Sequence, residues 1–179
     1  MRKYCYYTIL ILLLQGATQA KIIAQSNTVS ELQVKAVFLY NFTHFIDWPQ
    51  TAFESKYDSF VIGVVGNDPL TPFIEQAIKG EWIETHVIRL EKYRSAAEIK
   101  KCHLLYVSSD DPEEVREILR IAARKKILTV GDTPNFVRWG GMIRFYTEHG
   151  KLRLQINNTI AKAEGFKISS KLLRVADVL

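Results

Sequence analysis

The sequence predicts an α/β fold: one domain built on a mainly parallel sheet with helices on its faces, closed by a C-terminal antiparallel hairpin plus helices. Three observations predict it. A β-branched run at residues 60–65 and short, mainly apolar runs at 104–107 and 127–130 read as buried strands. Helical stretches separate these runs, and strands alternating with helices call for parallel pairing through crossover connections. Residues 142–146 and 151–157 flank Thr147, Glu148, His149 and Gly150, which suits a hairpin.

The amino terminus is set aside before the fold is read. Arg2 and Lys3 precede an apolar run, Thr8 to Leu14, and a small, polar end, Gln15 to Ala20. That order is a secretory signal peptide, residues 1–20, with cleavage expected after Ala20 and Ala24 as the second option. The run is too short to span a bilayer. Cys5 lies ahead of it, so the lipoprotein pattern is missing. The expected exported product is one domain, residues 21–179. Residues 1–20 hold two basic and no acidic residues, which leaves a net charge of +3. Nucleic-acid binding needs more, with the basic residues clustered on one face. Without Cys5, Cys102 stands alone, so an internal disulfide and Cys-x-x-Cys chemistry are not expected. Its place at the head of an apolar strand predicts a buried structural thiol.

The elements follow in order. Residues 30–48 read as a helix with Ser30 as N-cap, ended by Pro49. Val34, Val37, Phe38, Phe42, Phe45 and Trp48 share its broad apolar face, widened by Leu39 and Ile46; Lys35 and Asn41 intrude on that face. Phe60 to Val65 is the first core strand, and Gly66, Asn67, Asp68 and Pro69 turn out of it. Phe73 to Ile78 is a short helix, Trp82 to Leu90 an alternating strand, and Ser95 to Lys101 a helical turn before the strand at Leu104 to Val107. Asp110 or Asp111 caps the next helix and Pro112 fits its first turn. Glu113 and Glu114 suit its positive end, Arg124, Lys125 and Lys126 its negative end, and Val115, Ile118, Leu119 and Ala122 its core face. After the strand at Ile127 to Val130, Gly140 and Gly141 bend the chain into the hairpin. Asn157 or Asn158 starts a helix that Gly165 stops, and Ser169 starts the last. The sum is a Rossmann-like three-layer domain.

In such sheets ligands bind at the carboxyl ends of the strands. Those ends carry Asn67, Asp68, Ser108, Ser109, Asp110, Asp132 and Asn135, a set able to hydrogen-bond a small polar molecule. Turns and helix caps draw on the same residue types. His44, His86, His103 and His149 lack metal-ligand spacing, and no Gly-x-Ser-x-Gly elbow, dinucleotide fingerprint or phosphate loop is present. The acidic cluster Asp110, Asp111, Glu113 and Glu114 reads as a solvated helix amino terminus. No catalytic residue, metal or cofactor is expected. Trp82, Tyr93, Phe136, Val137, Trp139 and Phe166 are large residues in or near loops and edges, where they either meet a partner or pack inward. Pro134, Phe136, Arg138 and Trp139 form the expected partner-contact element.

Six of these segments, in order, carry a resemblance. They are Lys35 to Pro49 (Lys-Ala-Val-Phe-Leu-Tyr-Asn-Phe-Thr-His-Phe-Ile-Asp-Trp-Pro), Val65-Gly-Asn-Asp-Pro69, Ile127-Leu-Thr-Val-Gly-Asp132, Gly140-Gly-Met-Ile-Arg-Phe145, Leu154-Gln-Ile-Asn157 and Lys167-Ile-Ser-Ser-Lys-Leu-Leu-Arg174. Together they resemble the YfiR/HmsC family of bacterial periplasmic proteins. The resemblance implies a non-catalytic periplasmic regulator, a homodimer, that binds and represses an inner-membrane diguanylate cyclase or related sensor. Cyclic di-GMP and biofilm output would follow, with an outer-membrane protein competing for the repressor. Family members often carry disulfide-forming cysteines, one of them in the strand before the Gly-x-Asp-Pro turn. Here Val61 to Val65 holds none, and Cys102 resembles the half left over, so redox sensing is not carried across. The residues alone leave two other functions open. One is a solute-binding sensor module that uses the crevice and feeds a kinase or transporter. The other is a hydrolase using Ser108, Asp132 and His103.

Overall fold

Strands with no polar face belong in the middle of a sheet, and β5 (Leu104–Val107) and β6 (Leu128–Gly131) are buried at every position. In the computed structural model, which describes residues 29–49, 52–53, 55 and 57–179, they lie at its centre. The signal peptide expected at residues 1–20 lies outside the described residues. Residues 29–45 are helical, α1. There follow β1 (Ile46–Asp47), β2 (Phe60–Val65), α2 (Thr71–Ala77), β3 (Trp82–Ile83), β4 (His86–Tyr93) and a 3-10 turn (Ala96–Glu98). After β5 come α3 (Pro112–Lys125), β6, β7 (Ile143–Glu148), β8 (Lys151–Ile156), α4 (Asn158–Ala163), β9 (Lys167–Ile168), α5 (Ser170–Leu173) and β10 (Asp177–Val178).

The main sheet orders its strands β10-β8-β7-β6-β5-β2-β4-β3. Strands β2, β4, β5, β6 and β7 are parallel; Ile62 lies opposite both Leu90 and Leu104, and Leu104 opposite Leu128. The hairpin partner β8 and the short β3 add antiparallel neighbours. Taken in chain order, the parallel strands read second, first, third, fourth, fifth across the sheet. This is the flavodoxin-like doubly wound order, and its winding reverses between β2 and β5. A separate antiparallel pair joins β1 to β9, with Ile46 against Ile168.

Each face of the sheet carries its own core. One packs Leu39 and Phe42 of α1, Ile74 of α2, Ala161 of α4 and Leu172 of α5 against Ile62, Tyr106 and Phe145. The other packs α3 and the 3-10 turn against Leu105 and Val107. Helix α3 turns inward the four residues its spacing assigns, Val115, Ile118, Leu119 and Ala122. Asp111 caps it by accepting from Glu113 N at 2.9 Å, and Lys126 closes it in the left-handed region.

Three local expectations are corrected. Helix α1 gives way to β1 after residue 45, so Trp48 is not helical. Its buried stripe is Lys35, Ala36, Leu39, Phe42 and Thr43, whereas Val34, Val37 and Phe45 are exposed. Both sides of α1 are apolar, and the side that meets the sheet is the one carrying Lys35, whose ammonium bonds a strand-end carboxylate. Trp82 to Leu90 is not one strand but a hairpin, because Glu84 turns the chain at φ 52. The turn expected over Ser95 to Lys101 is helical only at Ala96–Glu98.

His103 ties the opposite, amino-terminal edge of the sheet together. Its Nδ1 accepts from Val61 N at 2.9 Å, which leaves Nε2 to donate to Ala52 O at 3.1 Å. The ring also stacks against both Phe53 and Phe60. Burial chiefly lowers its pKa from 6.5 to about 4. The neutral form is therefore the folded one, and below pH 6.5 the unfolded chain takes up the proton first. Stability is expected to fall by about 2 kcal/mol as pH drops from neutral to acid, after discounting for partial solvation. Urea denaturation at several pH values measures this loss. His103→Gln should flatten the part that lies between pH 6.5 and about 4.

Candidate functional site

The winding reversal leaves a cavity of about 660 Å³ at the carboxyl ends of the parallel strands. Gly66 makes the closest approach there. At φ +98 it carries the chain past Ser108, so near that a Cβ would sit 2.1 Å from the Ser108 carbonyl oxygen. Asn67 and Asp68 are thereby set beside the end of β5. Asp68 Oδ1 accepts from Leu70 N at 2.7 Å and Oδ2 from Ser108 Oγ at 2.5 Å. Ser109 donates through Oγ to Glu114 at 2.6 Å, and its carbonyl accepts from Thr133 Oγ1 at 2.6 Å.

The charged wall comes from two other elements. From α1, Lys35 Nζ reaches Asp132 Oδ2 at 3.0 Å and Glu31 Oε1 at 3.1 Å. Tyr106 donates to the same Asp132 oxygen at 2.9 Å. Burial pulls the Lys35 pKa down, but the Asp132 and Glu31 carboxylates outweigh it and hold the value above the ordinary one. Burial, then the charges of Asp132 and Asp68, pushes the Tyr106 phenol up, so it stays a neutral donor. From β7, Arg144 holds its guanidinium 5.4 Å from the Tyr146 ring centre, and its Nε is buried without a hydrogen-bond partner. The lining thus sets two cations, Lys35 and Arg144, against four carboxylates, Glu31, Asp68, Asp110 and Asp132.

Of the strand-end residues named from the sequence, Asn67, Asp68, Ser108, Ser109, Asp110 and Asp132 share this cavity and Asn135 does not. Asn135 sits at φ 66, and its carbonyl accepts from Arg138 N at 2.8 Å and Trp139 N at 3.0 Å, so it shapes the loop after β6. Glu31, Lys35, Arg144 and Tyr146 were not anticipated as lining. The signals were present: a lysine interrupting an apolar arc, and an arginine inside a half-buried strand.

The contact element is also corrected. Phe136 is fully buried, its ring filling the space where Cβ atoms of Gly131 and Gly141 would lie. Its side chain offers no exposed surface. Pro134 and Arg138 are exposed, and Trp139 is half-buried with Arg116 5.2 Å from its ring centre. Tyr93, Val137 and Phe166 pack inward, whereas Trp82 is 57% exposed.

Two chemical readings can be checked directly. His103 immediately precedes β5 and Ser108 follows its end, so the strand separates them and Ser108, Asp132 and His103 form no triad. Among the described residues no group of three His, Cys, Asp or Glu side chains is placed to hold a metal ion. Cys102 is free and buried, and burial chiefly pushes its thiol up to about 12, well away from reactive thiolate. A Cβ at Gly63 would stand 3.1 Å from its sulfur, so the strand position facing Cys102 is a glycine.

Sheet order and crevice define a doubly wound α/β domain with a polar cavity at its reversal point. The profile of the YfiR/HmsC-like family matches residues 32–177, and the chain belongs to that family. Solved structures are similar to part of the chain at low identity. A conserved domain protein from Vibrio cholerae is 16% identical with a TM-score of 0.49, and covers 66% of this chain. An ABC domain in complex with L-Trp from Streptococcus pneumonia is 12% identical with a TM-score of 0.51, and also covers 66% of this chain. In each case the match spans 54% of the other protein's length. No curated protein matches the chain. Among the described residues no helix is long and apolar enough to cross a membrane.

Proposed function

We propose that this protein is a periplasmic regulator that binds the periplasmic part of an inner-membrane diguanylate cyclase, or a related sensor, and holds it inactive. The observation that carries this reading is the family match across residues 32–177. Repression of this kind is a population shift: the regulator binds the inactive receptor more tightly than the active one. A hundredfold drop in active receptor needs a difference of about 2.7 kcal/mol between the two affinities. The exposed part of the loop after β6, Pro134 and Arg138 with the half-buried Trp139, is the contact element in this scheme. The regulator works as a homodimer, and an outer-membrane protein relieves repression by competing for it.

Deleting the gene is expected to raise cellular cyclic di-GMP and biofilm mass, and a plasmid copy is expected to restore both. Unchanged cyclic di-GMP in the deletion strain would reject cyclase repression. The polar cavity favours a second reading, a solute-binding sensor that feeds a kinase or transporter.

A further inference from the structure

The cavity at the β2/β5 reversal is polar, open and charged on two sides, and its charges are unequally satisfied. Lys35 is matched by two carboxylates, Glu31 and Asp132. Arg144 makes no ion pair with another described residue, and its buried Nε lacks a hydrogen-bond partner. A buried donor left this way is costly, and a carboxylate satisfies a guanidinium fork through two parallel bonds. At the end of the neighbouring strand, next to Gly131, which pairs with Arg144, Asp132 uses Oδ2 for both of its bonds, to Lys35 and Tyr106. A carboxylate accepts about four hydrogen bonds, so Asp132 Oδ1 and the remaining lone pairs of Asp68 are open to a donor.

We infer that this cavity binds a small zwitterion of the α-amino-acid class, its carboxylate on Arg144 and its ammonium on Asp132 and Asp68. A dianion is disfavoured because four carboxylates outnumber two cations in the lining. A simple amine leaves Arg144 unsatisfied. The volume of about 660 Å³ suits a small molecule. Asn67, Ser109 and Thr147 line the remaining wall, which favours a polar side chain over an aliphatic one. The inference concerns the cavity alone. It deepens the solute-binding reading and stands whether or not the chain represses a cyclase.

The test is calorimetric titration of the purified exported protein with each L-α-amino acid, beginning with serine, asparagine and glutamine. Ethanolamine and 3-hydroxypropionate serve as the counterparts of serine that lack its carboxylate or its amine. At least one amino acid is expected to bind saturably. If serine binds, both counterparts should bind at least about tenfold more weakly, because each strands one charged wall. Arg144→Gln, which breaks no ion pair with a described residue, should weaken binding by at least about tenfold while keeping the parent melting temperature. Asp132→Asn should do the same, and circular dichroism separates lost binding from lost folding there. Failure of every amino acid to bind overturns the inference. So does undiminished binding to Arg144→Gln, or displacement of the amino acid by inorganic phosphate, which would mark an anion site. Because all readouts are taken on isolated protein, a negative result leaves the cyclic di-GMP experiment untouched.

Discussion

Gly66→Ala is expected to destabilise the protein by about 4 kcal/mol or more, the range reserved for a few severe mechanisms. Two costs combine. At φ +98 an alanine is strained, which costs about 1–2 kcal/mol by itself. The second cost is larger, because the new methyl would sit 2.1 Å from the carbonyl oxygen of Ser108, a backbone atom. Ser108 itself is anchored at the end of the β2/β5 ladder, where its N donates to Val65 O at 3.0 Å. Relief requires prising β5 from β2 at the cavity floor, so the geometry of Asp68 and Ser108 goes with it. Gly80 supplies the control: its φ is +77 and a Cβ there meets nothing within 4 Å. Gly80→Ala carries only the backbone term, about 1–2 kcal/mol. Urea denaturation of both variants decides the matter. Equal losses would mean that the contact with Ser108 contributes nothing.

That contrast shows where a sequence speaks and where it is silent. Helix α3 and strands β5 and β6 are legible because their signals are local: an Asp-Pro start, apolar spacing on one face, and short, mainly apolar runs without charged residues. The strand-end rule then places Asp68, Ser108 and Asp132 near one another before any coordinates exist. Lys35 and Arg144 escape it because their role comes from outside the loops. Lys35 meets Asp132 across 97 positions of chain, a distance no window spans. The face of α1 was illegible for a different reason: with Val34 and Val37 on one side and Leu39 and Phe42 on the other, apolar spacing does not say which meets the sheet. At Glu84 the chain turns through a residue type that seldom takes positive φ, so the β3/β4 hairpin left no turn signal.

Phe136→Ala is expected to cost about 3–5 kcal/mol, the range for removing a fully buried aromatic ring. The ring explains both glycines around it: a Cβ at Gly131 would lie 2.7 Å from Phe136 Cε2, and one at Gly141 2.2 Å from Cε1. Arg138, two residues on and exposed, is expected to change stability by no more than about 0.5 kcal/mol when replaced by alanine. The pair therefore separates folding from contact. Lost repression in Phe136→Ala, accompanied by a lower melting temperature, reports folding; lost repression in Arg138→Ala at unchanged melting temperature reports a partner surface. The packing claim has a sharper check in a double-mutant cycle. Gly141→Ala should be strongly destabilising in the parent, because its methyl and the Phe136 ring compete for one space. In the Phe136→Ala background that competition is gone, so the same methyl should cost far less and the two losses should fall short of additive by more than about 1 kcal/mol. Additive losses would mean that the ring does not occupy the space over Gly141, and the loop after β6 would have to be repacked with Phe136 returned to the surface.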